Sequence, residues 1–438
     1  SSLVGSEMCI RDRIINMEPI TITLCLLAFA IAMFVWEKIP LAVTSMVVCV
    51  ALVLTGVLNL KQAFAGFIDT NVILFVAMFI VGGALFETGM ANKVGGVITR
   101  FAKTEKQLIF TIMVVVGVMS GFLSNTGTAA VLIPVVIGVA AKSGFARSRL
   151  LMPLVFAAAL GGNLSLIGAP GNLIAQSALQ NIGSGFGFFE YAKVGLPMLV
   201  CGMIYFLTIG YKFLPNHPNS GEVGSIGQQR DYSHVPRWKQ ILSLLVLIAT
   251  ILGMIFEKQT GVSLAVAGCI GALVLVVTGV LTEKQAYKAI DSQTIFIFGG
   301  TLALAKALEM TGAGKLVADH VIGLLGQNSS PFMLLVVVFA LSVVMTNFMS
   351  NTATVALLVP VSLSIAAGMG ADPRAVLMAT VIGSSCAYAT PIGMPANMMV
   401  LSAGGYKFVD YAKSGIPLII VSTIVSLILL PILFPFHP

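Results

Sequence analysis

The chain has 438 residues, of which 58% are hydrophobic and 9% are charged, with a formal net charge of +7. Soluble domains carry about 25% charged residues, so this composition excludes a water-exposed surface around most of the chain. The apolar segments are continuous, which favours membrane-spanning helices over a β-barrel. The excess of Lys and Arg then indicates cytoplasmic loops, and we expect no nucleic-acid partner.

Residues 1–16 differ from the rest of the chain, since they are mixed and polar and stand before Met17 and the first apolar segment. We therefore expect that residues 1–16 are an extraneous leader that takes no part in the fold. The six cysteines are scattered, with neither the spacing of a metal site nor that of a disulfide framework, so no transition metal is predicted.

The remainder of the chain contains the same unit twice. Four blocks recur in the same order and at nearly constant spacing: TGVLNLKQAFAGFID (55–69) and TGVLTEKQAYKAID (278–291), SNTGTAAVLIPV (124–135) and SNTATVALLVPV (350–361), IGAPGN (167–172) and IGMPAN (392–397), EYAKVGLP (190–197) and DYAKSGIP (410–417). We predict repeat 1 over 17–214 and repeat 2 over 240–438, joined by a cytoplasmic linker over 215–239 that is rich in Gly, Pro and Ser.

Each repeat contains six apolar segments. They lie near 20–36, 39–58, 72–86, 108–142, 151–180 and 192–214 in repeat 1, and near 240–256, 261–281, 294–308, 332–368, 375–402 and 415–436 in repeat 2. The fourth segment has two limbs that are short for a full crossing and meet at a polar tripeptide, which predicts a re-entrant hairpin. Five crossings are an odd number, so the two repeats are expected to be inverted relative to each other.

Loop charges give the orientation of this all-α polytopic membrane protein. With the amino terminus outside, most of the 24 Lys and Arg residues fall in loops on the inner side, as the positive-inside rule requires. We expect a multi-pass protein of the cell membrane.

Polar residues interrupt the apolar segments at four places: 120–128, 161–172, 346–354 and 383–397. Matching interruptions by Gly, Pro and Asn in the two halves of an inverted repeat predict discontinuous helices and a transport site. None of the four contains Asp, Glu, Lys, Arg or His. Ser, Asn and Thr are common at helix N-termini, and the positive end of the helix dipole there attracts an anion. The side-chain oxygens of the same residues can coordinate sodium. A small anion neutralised by sodium ions is therefore the expected substrate.

The doubled Ser-Asn-Thr motif, followed in each repeat by G-x-P-x-N, resembles the divalent anion/sodium symporter family of di- and tricarboxylate transporters, over residues 20–436. The resemblance implies an ion-transporter-type fold, a homodimer and elevator-type alternating access. It also implies site residues. The substrate would contact tip 1 (Ser124, Asn125, Thr126) and tip 2 (Ser350, Asn351, Thr352), with Ala169, Pro170, Met394 and Pro395 beside them. One sodium ion would bind Ser120, Ser124, Asn125 and Gly168, and a second would bind Thr346, Ser350, Asn351 and Gly393.

Two positions depart from the family pattern. Ala169 and Met394 stand where carboxylate transporters commonly carry a threonine before the proline. Because neither residue has the hydroxyl that a threonine would provide, two alternatives remain: a transporter of sulfate or another anion, and a sodium-independent anion exchanger. A sodium/proton or arsenite antiporter is a further alternative, although proton coupling usually needs a titratable group within the membrane. No protease motif occurs in the sequence, so an enzyme is not expected.

Overall fold

The computed structural model describes residues 18–36, 38–96, 104–217, 231–325 and 330–436, and all regular structure within these ranges is helical. The helices of the first half are α1 (Pro19–Trp36), α2 (Leu41–Leu54), α3 (Leu60–Phe64), α4 (Thr70–Glu87), α5 (Met90–Gly95), α6 (Glu105–Ser120), α7 (Asn125–Ser143), α8 (Arg147–Gly161), α9 (Pro170–Gln180) and α10 (Ala192–Leu207). Those of the second half are α11 (Arg237–Ile255), α12 (Glu257–Thr260), α13 (Leu264–Val277), α14 (Glu283–Ala289), α15 (Ser292–Thr311), α16 (Ala313–Leu325), α17 (Pro331–Thr346), α18 (Asn351–Met369), α19 (Pro373–Ser384), α20 (Pro395–Gly404) and α21 (Phe408–Leu433).

Seven helices within the described ranges are long and apolar enough to cross a membrane. All twelve predicted apolar segments contain a helix or a pair of helices, so the prediction of an all-α polytopic membrane protein is confirmed. The expected leader, residues 1–16, lies outside the described residues, as do residues 218–230 of the expected linker.

The sequence duplication is matched by local structure. The short helices α3 and α14 both begin with a capping box, formed by Asn59 with Gln62 and by Thr282 with Gln285. Each is followed by an aspartate, Asp69 or Asp291, whose side chain accepts a backbone N–H at the start of the next long helix. The sequence analysis did not predict α3 or α14, because each is too short to show an apolar period.

The two limbs of each predicted hairpin are separate helices. The chain reverses between α6 and α7 and between α17 and α18, and in both places a tip serine caps the second helix. Each second limb is longer than expected, since α7 and α18 both have 19 residues and both belong to the seven candidate spans. The expectation of two short limbs was therefore wrong for α7 and α18, and the re-entrant hairpin stays a prediction.

The helices are interrupted between α8 and α9 and between α19 and α20, as expected. Asn172 Nδ2 donates to the carbonyl oxygens of Gly162 at 3.0 Å and Ser165 at 2.8 Å. Asn397 Nδ2 donates in the same way to Ala387 at 2.8 Å and to a second carbonyl of its own loop at 3.1 Å. Because unwound backbone in a membrane must find partners within the protein, these asparagines explain how both breaks are tolerated.

The breaks lie in the centre of the molecule. Nearly every residue of α8 is buried, including its first residue, Arg147. The helix packs against α6, α7, α10 and α20, so that elements of both repeats surround it. This packing brings the ends of the interrupted helices together.

Candidate functional site

A cavity of about 470 Å³ lies where the two repeats meet. All ten residues predicted to contact substrate line it: Ser124, Asn125, Thr126, Ala169, Pro170, Ser350, Asn351, Thr352, Met394 and Pro395. The four other predicted sodium residues lie behind this wall and are buried: Ser120, Gly168, Thr346 and Gly393. The structure therefore brings the predicted residues of both repeats to one place.

The N-termini of the two tip helices and of the two helices that follow the breaks, four in all, converge on the cavity. Its wall includes the first residues of α7, α9, α18 and α20. From the sequence, only the two tip helices, α7 and α18, were expected to point their positive ends toward the ligand. Because each N-terminus carries a partial positive charge of about half an elementary charge, four of them make a site that favours an anion.

The four N-termini differ in their caps. Ser124 Oγ accepts the Gly127 N–H at 3.1 Å, and Ser350 Oγ accepts the Ala353 N–H at 3.2 Å. Ala169 and Met394 precede α9 and α20 and provide no side-chain cap. A threonine at these two positions would offer an oxygen to the first N–H groups of its helix. Pro170 and Pro395 have no N–H, and the N–H groups of Asn172 and Asn397 donate to the carbonyl oxygens of Ala169 and Met394 at 3.2 and 3.0 Å. Without a threonine, the N–H groups of Gly171 and Ala396 therefore have no side-chain cap.

Behind tip 1, oxygen atoms converge on the side-chain amide of Asn125. One terminal atom of this amide lies 2.7 Å from Ser120 Oγ and 3.2 Å from the carbonyl oxygens of both Ala158 and Gly168. If that atom is Nδ2, it donates to all three oxygens. If it is Oδ1, four oxygens face one another, which is the environment of a hard cation.

Tip 2 repeats this arrangement. The corresponding atom of Asn351 lies 2.8 Å from Thr346 Oγ1, 2.9 Å from the Gly393 carbonyl oxygen and 3.2 Å from the Ser384 carbonyl oxygen. Each cluster thus combines a hydroxyl from the end of one half-helix with two backbone carbonyls. Half-helix ends and unwound carbonyls are the groups that coordinate sodium in transporters. The carbonyls of Ala158 and Ser384 were not predicted from the sequence, because a backbone oxygen outside a motif has no sequence signature.

The backbone at both clusters is too closely packed for a side chain. A Cβ atom at Gly168 would lie 2.5 Å from the Gly162 carbonyl oxygen, and one at Gly393 would lie 2.4 Å from the Thr346 carbonyl oxygen. Glycine is therefore required at both positions if the carbonyls are to stay at these distances from the asparagine amides.

Charged and polar residues outside the tips also line the cavity. They come from the end of α4, from α14 and from the start of α15: Glu87, Gln285, Lys288, Asp291, Gln293 and Thr294. Asp291 also caps α15. The four polar interruptions contain no Asp, Glu, Lys, Arg or His, but the lining of the cavity as a whole includes charged side chains, because tertiary packing brings the ends of other segments beside them.

Comparisons with known proteins agree with this architecture. The model of the family described as "Citrate transporter" matches residues 31–380 and 251–436. An uncharacterized transporter of Escherichia coli strain K12, YfbS, is 26% identical over 94% of this chain and 99% of its own length. The sodium-dependent dicarboxylate transporter SdcS of Staphylococcus aureus is 24% identical over 92% of this chain and 84% of its own.

A solved structure shows a similar fold. The YdaH transporter of Alcanivorax borkumensis has a TM-score of 0.65 at 16% sequence identity, over 86% of this chain and 89% of its own. The resemblance drawn from the doubled Ser-Asn-Thr motif is confirmed, and so is the expectation of a transporter rather than an enzyme. This chain is a multi-pass membrane protein that belongs to the citrate transporter family.

Proposed function

We propose that this protein is a secondary active transporter that moves small divalent anions, such as succinate or malate, together with sodium ions. The observation that carries the proposal is the convergence of four helix N-termini on one cavity. The N-terminal N–H groups would bind the carboxylates of the substrate, and the hydroxyls of the two tips would add hydrogen bonds.

The charges around the cavity support coupling to a cation. Of the described residues that line it, Lys288 is positive, whereas Glu87 and Asp291 are negative. The lining therefore provides no net positive side-chain charge to balance a divalent anion. Helix dipoles reduce the cost of bringing in the anion, and co-bound sodium ions would supply the remaining charge.

The two asparagines offer a physical route for this coupling. Asn125 and Asn351 each line the cavity and also face an oxygen cluster. A sodium ion in the cluster would require Oδ1 to face it, so Nδ2 would face the cavity and donate to the anion. In the absence of sodium, Nδ2 donates to the cluster and Oδ1 faces the cavity, where it repels an anion.

The identity of the anion depends on two positions. The relative SdcS is a sodium-dependent dicarboxylate transporter, which favours dicarboxylates. Ala169 and Met394 lack a hydroxyl at the cavity wall, which favours a smaller anion such as sulfate, or exchange without sodium, as the second candidate.

For the transport cycle we propose elevator-type alternating access in a homodimer with the amino terminus outside, as the family resemblance and the loop charges suggest.

The proposal is tested by a thermal-unfolding screen of the purified protein with succinate, malate, citrate, α-ketoglutarate and sulfate, each with sodium or with choline. We expect a dicarboxylate to raise the melting temperature in sodium and not in choline. Asn181→Ala, a change at an exposed asparagine outside the cavity, is the control and should leave the shift unchanged. Stabilisation by sulfate alone would replace the dicarboxylate with the second candidate, and stabilisation by none of the five would refute the proposal.

A further inference from the structure

A pair of hydrogen bonds joins α4 to α9 in repeat 1. The Asp69 carboxylate accepts the Ser177 hydroxyl at 2.7 Å, and Asn71 Nδ2 donates to Gln180 Oε1 at 2.8 Å. Ser177 is fully buried and Asn71 is 3% exposed, whereas Asp69 is half-buried and Gln180 is exposed, so water reaches only one end of each bond. The contact fastens the second half of an interrupted helix, whose first residues line the cavity, to the start of a long helix.

Repeat 2 contains the aspartate and the serine of this contact at the corresponding positions. Asp291 ends the duplicated block that Asp69 ends in repeat 1, and Ser402 follows Asn397 by the same interval as Ser177 follows Asn172. The equivalent contact would therefore join α15 to α20, between Asp291 and Ser402.

This second contact is not made in the structure. The Asp291 carboxylate accepts the hydroxyl of Thr294, in its own helix, at 2.6 Å. Asp291 and Ser402 are both exposed, and so is Gln293, the equivalent of Asn71. Within the described ranges, the Ser402 hydroxyl makes no hydrogen bond.

The lining of the cavity also differs between the two repeats. Asp291 and Gln293 line it, whereas Asp69, Asn71 and Ser177 are not among its lining residues in the described part of the chain. The side on which the contact is absent is thus the side where the cavity reaches polar, exposed residues. Near tip 1, a separate cavity of only about 30 Å³ is lined by aromatic side chains, including the Phe75–Phe79 pair at a centroid distance of 4.8 Å.

We propose that Asp69–Ser177 and Asp291–Ser402 are two alternative latches, and that the protein exchanges one for the other when the cavity opens to the opposite side. The inference rests on the proposed function in one respect, the alternating access of a transporter. The two repeats are predicted to be inverted, so the same contact made by the other repeat would close the other face, and the two latches would not form together. Each latch holds one interrupted helix against its neighbour.

The two latches are unequal. Gln180, which adds the second hydrogen bond in repeat 1, corresponds to Gly405 in repeat 2, which has no side chain. The Asp69 latch therefore has one more side-chain hydrogen bond to its partner helix. Without ligands, the state with the Asp69 latch closed would be the more populated one, and it is the state that this structure shows.

Cysteine cross-linking in membranes tests the exchange. In a variant whose six native cysteines are replaced, one pair is Asp69→Cys with Ser177→Cys, and the other is Asp291→Cys with Ser402→Cys. We expect a short thiol cross-linker to join the first pair rapidly and the second pair slowly, since a cross-link accumulates even from a minor state. Asp69→Cys with Ser402→Cys is the matched control and should not react. Failure of the second pair to cross-link, while the first reacts, would overturn the proposal.

A substitution at the first latch provides the second measurement. Ser177→Ala removes one charge-assisted hydrogen bond, so it should speed cross-linking of the second pair by about tenfold. An unchanged rate would overturn the role of Ser177 as a latch. Because cross-linking is measured without any substrate, its outcome is independent of the anion transported. Exchange of the latches in a protein that transports none of the tested anions would refute the proposed substrate and leave the latches standing.

Discussion

Asn125→Ala is the substitution whose effects follow most directly from the structure. Asn125 is 9% exposed, and one atom of its amide lies within 3.2 Å of three oxygens. Removing the amide leaves the folded chain without its hydrogen bonds to the cluster, and it removes one of four oxygens from a bound cation. Alanine is a good helix former at the start of α7, so the helix itself should persist.

The size of the effect can be estimated for the sodium ion. A buried hydrogen bond or ligand contact to a charged group contributes about 1.5–3 kcal/mol, and about 1.4 kcal/mol corresponds to a factor of ten in affinity. The sodium concentration for half-maximal uptake should therefore rise by roughly one to two orders of magnitude. Uptake at ordinary sodium concentrations should be lost, and Asn351→Ala should have the same effect at the second cluster.

The assay is uptake of labelled succinate into proteoliposomes over a series of sodium concentrations. Asn125→Asp provides a sharper comparison, because it keeps the oxygen for sodium and replaces the amide N–H donors with a second oxygen. We expect Asn125→Asp to retain sodium binding, seen as thermal stabilisation by sodium, and to lose succinate uptake. Asn181→Ala serves as the surface control. Normal uptake by a well-folded Asn125→Ala variant would refute the assignment of tip 1 to the site.

Three further predictions concern other parts of the molecule. Gly168→Ala should abolish sodium-dependent stabilisation, because its Cβ would lie 2.5 Å from a backbone carbonyl oxygen; unchanged stabilisation would show that this carbonyl is not a ligand. Lys288→Gln should weaken succinate affinity by less than about tenfold, since the Lys288 ammonium is exposed and screened; a complete loss of binding would place Lys288 in the site itself. Burial raises the pKa of Glu190, but a backbone N–H bond and the guanidinium of Arg374 outweigh it and lower the pKa below its usual 4.5. The Glu190–Arg374 pair should therefore stabilise the protein above about pH 4.5 and lose this contribution as the pH falls further. The melting temperature of wild type should then fall more steeply in acid than that of Glu190→Gln. Parallel curves of melting temperature against pH would contradict this.

The helices and the cavity-lining tips could be predicted because their signals are local or repeated. A helix needs about 20 apolar residues to cross a bilayer, whatever its neighbours are. Ser124 and Ser350 are N-cap residues at a break in an apolar segment. Because these short polar motifs occur twice, they indicate a functional site more strongly than a single copy would. The departures at Ala169 and Met394 were also visible in the sequence, and the structure adds that both precede helices without a side-chain cap.

The remaining features depend on tertiary structure. Glu87 and Lys288 are 201 residues apart in sequence numbering, and only the packing of α14 against α4 brings both to the cavity mouth. The carbonyl oxygens of Ala158 and Ser384, which lie beside the amides of Asn125 and Asn351, belong to backbone that carries no residue-specific signal. The convergence of four N-termini likewise follows from how the interrupted helices are arranged around α8, and the sequence gives no direct measure of that arrangement.

The measurement that tests the central claim most directly is the simultaneous flux of labelled sodium and labelled succinate in the same proteoliposomes. The account predicts that an inward succinate gradient drives sodium uptake in wild type, and that neither flux occurs in Asn125→Ala or Asn351→Ala at ordinary sodium concentrations. Succinate flux that proceeds at the same rate in choline, with no movement of sodium, would contradict the claim that the two tips couple an anion to sodium.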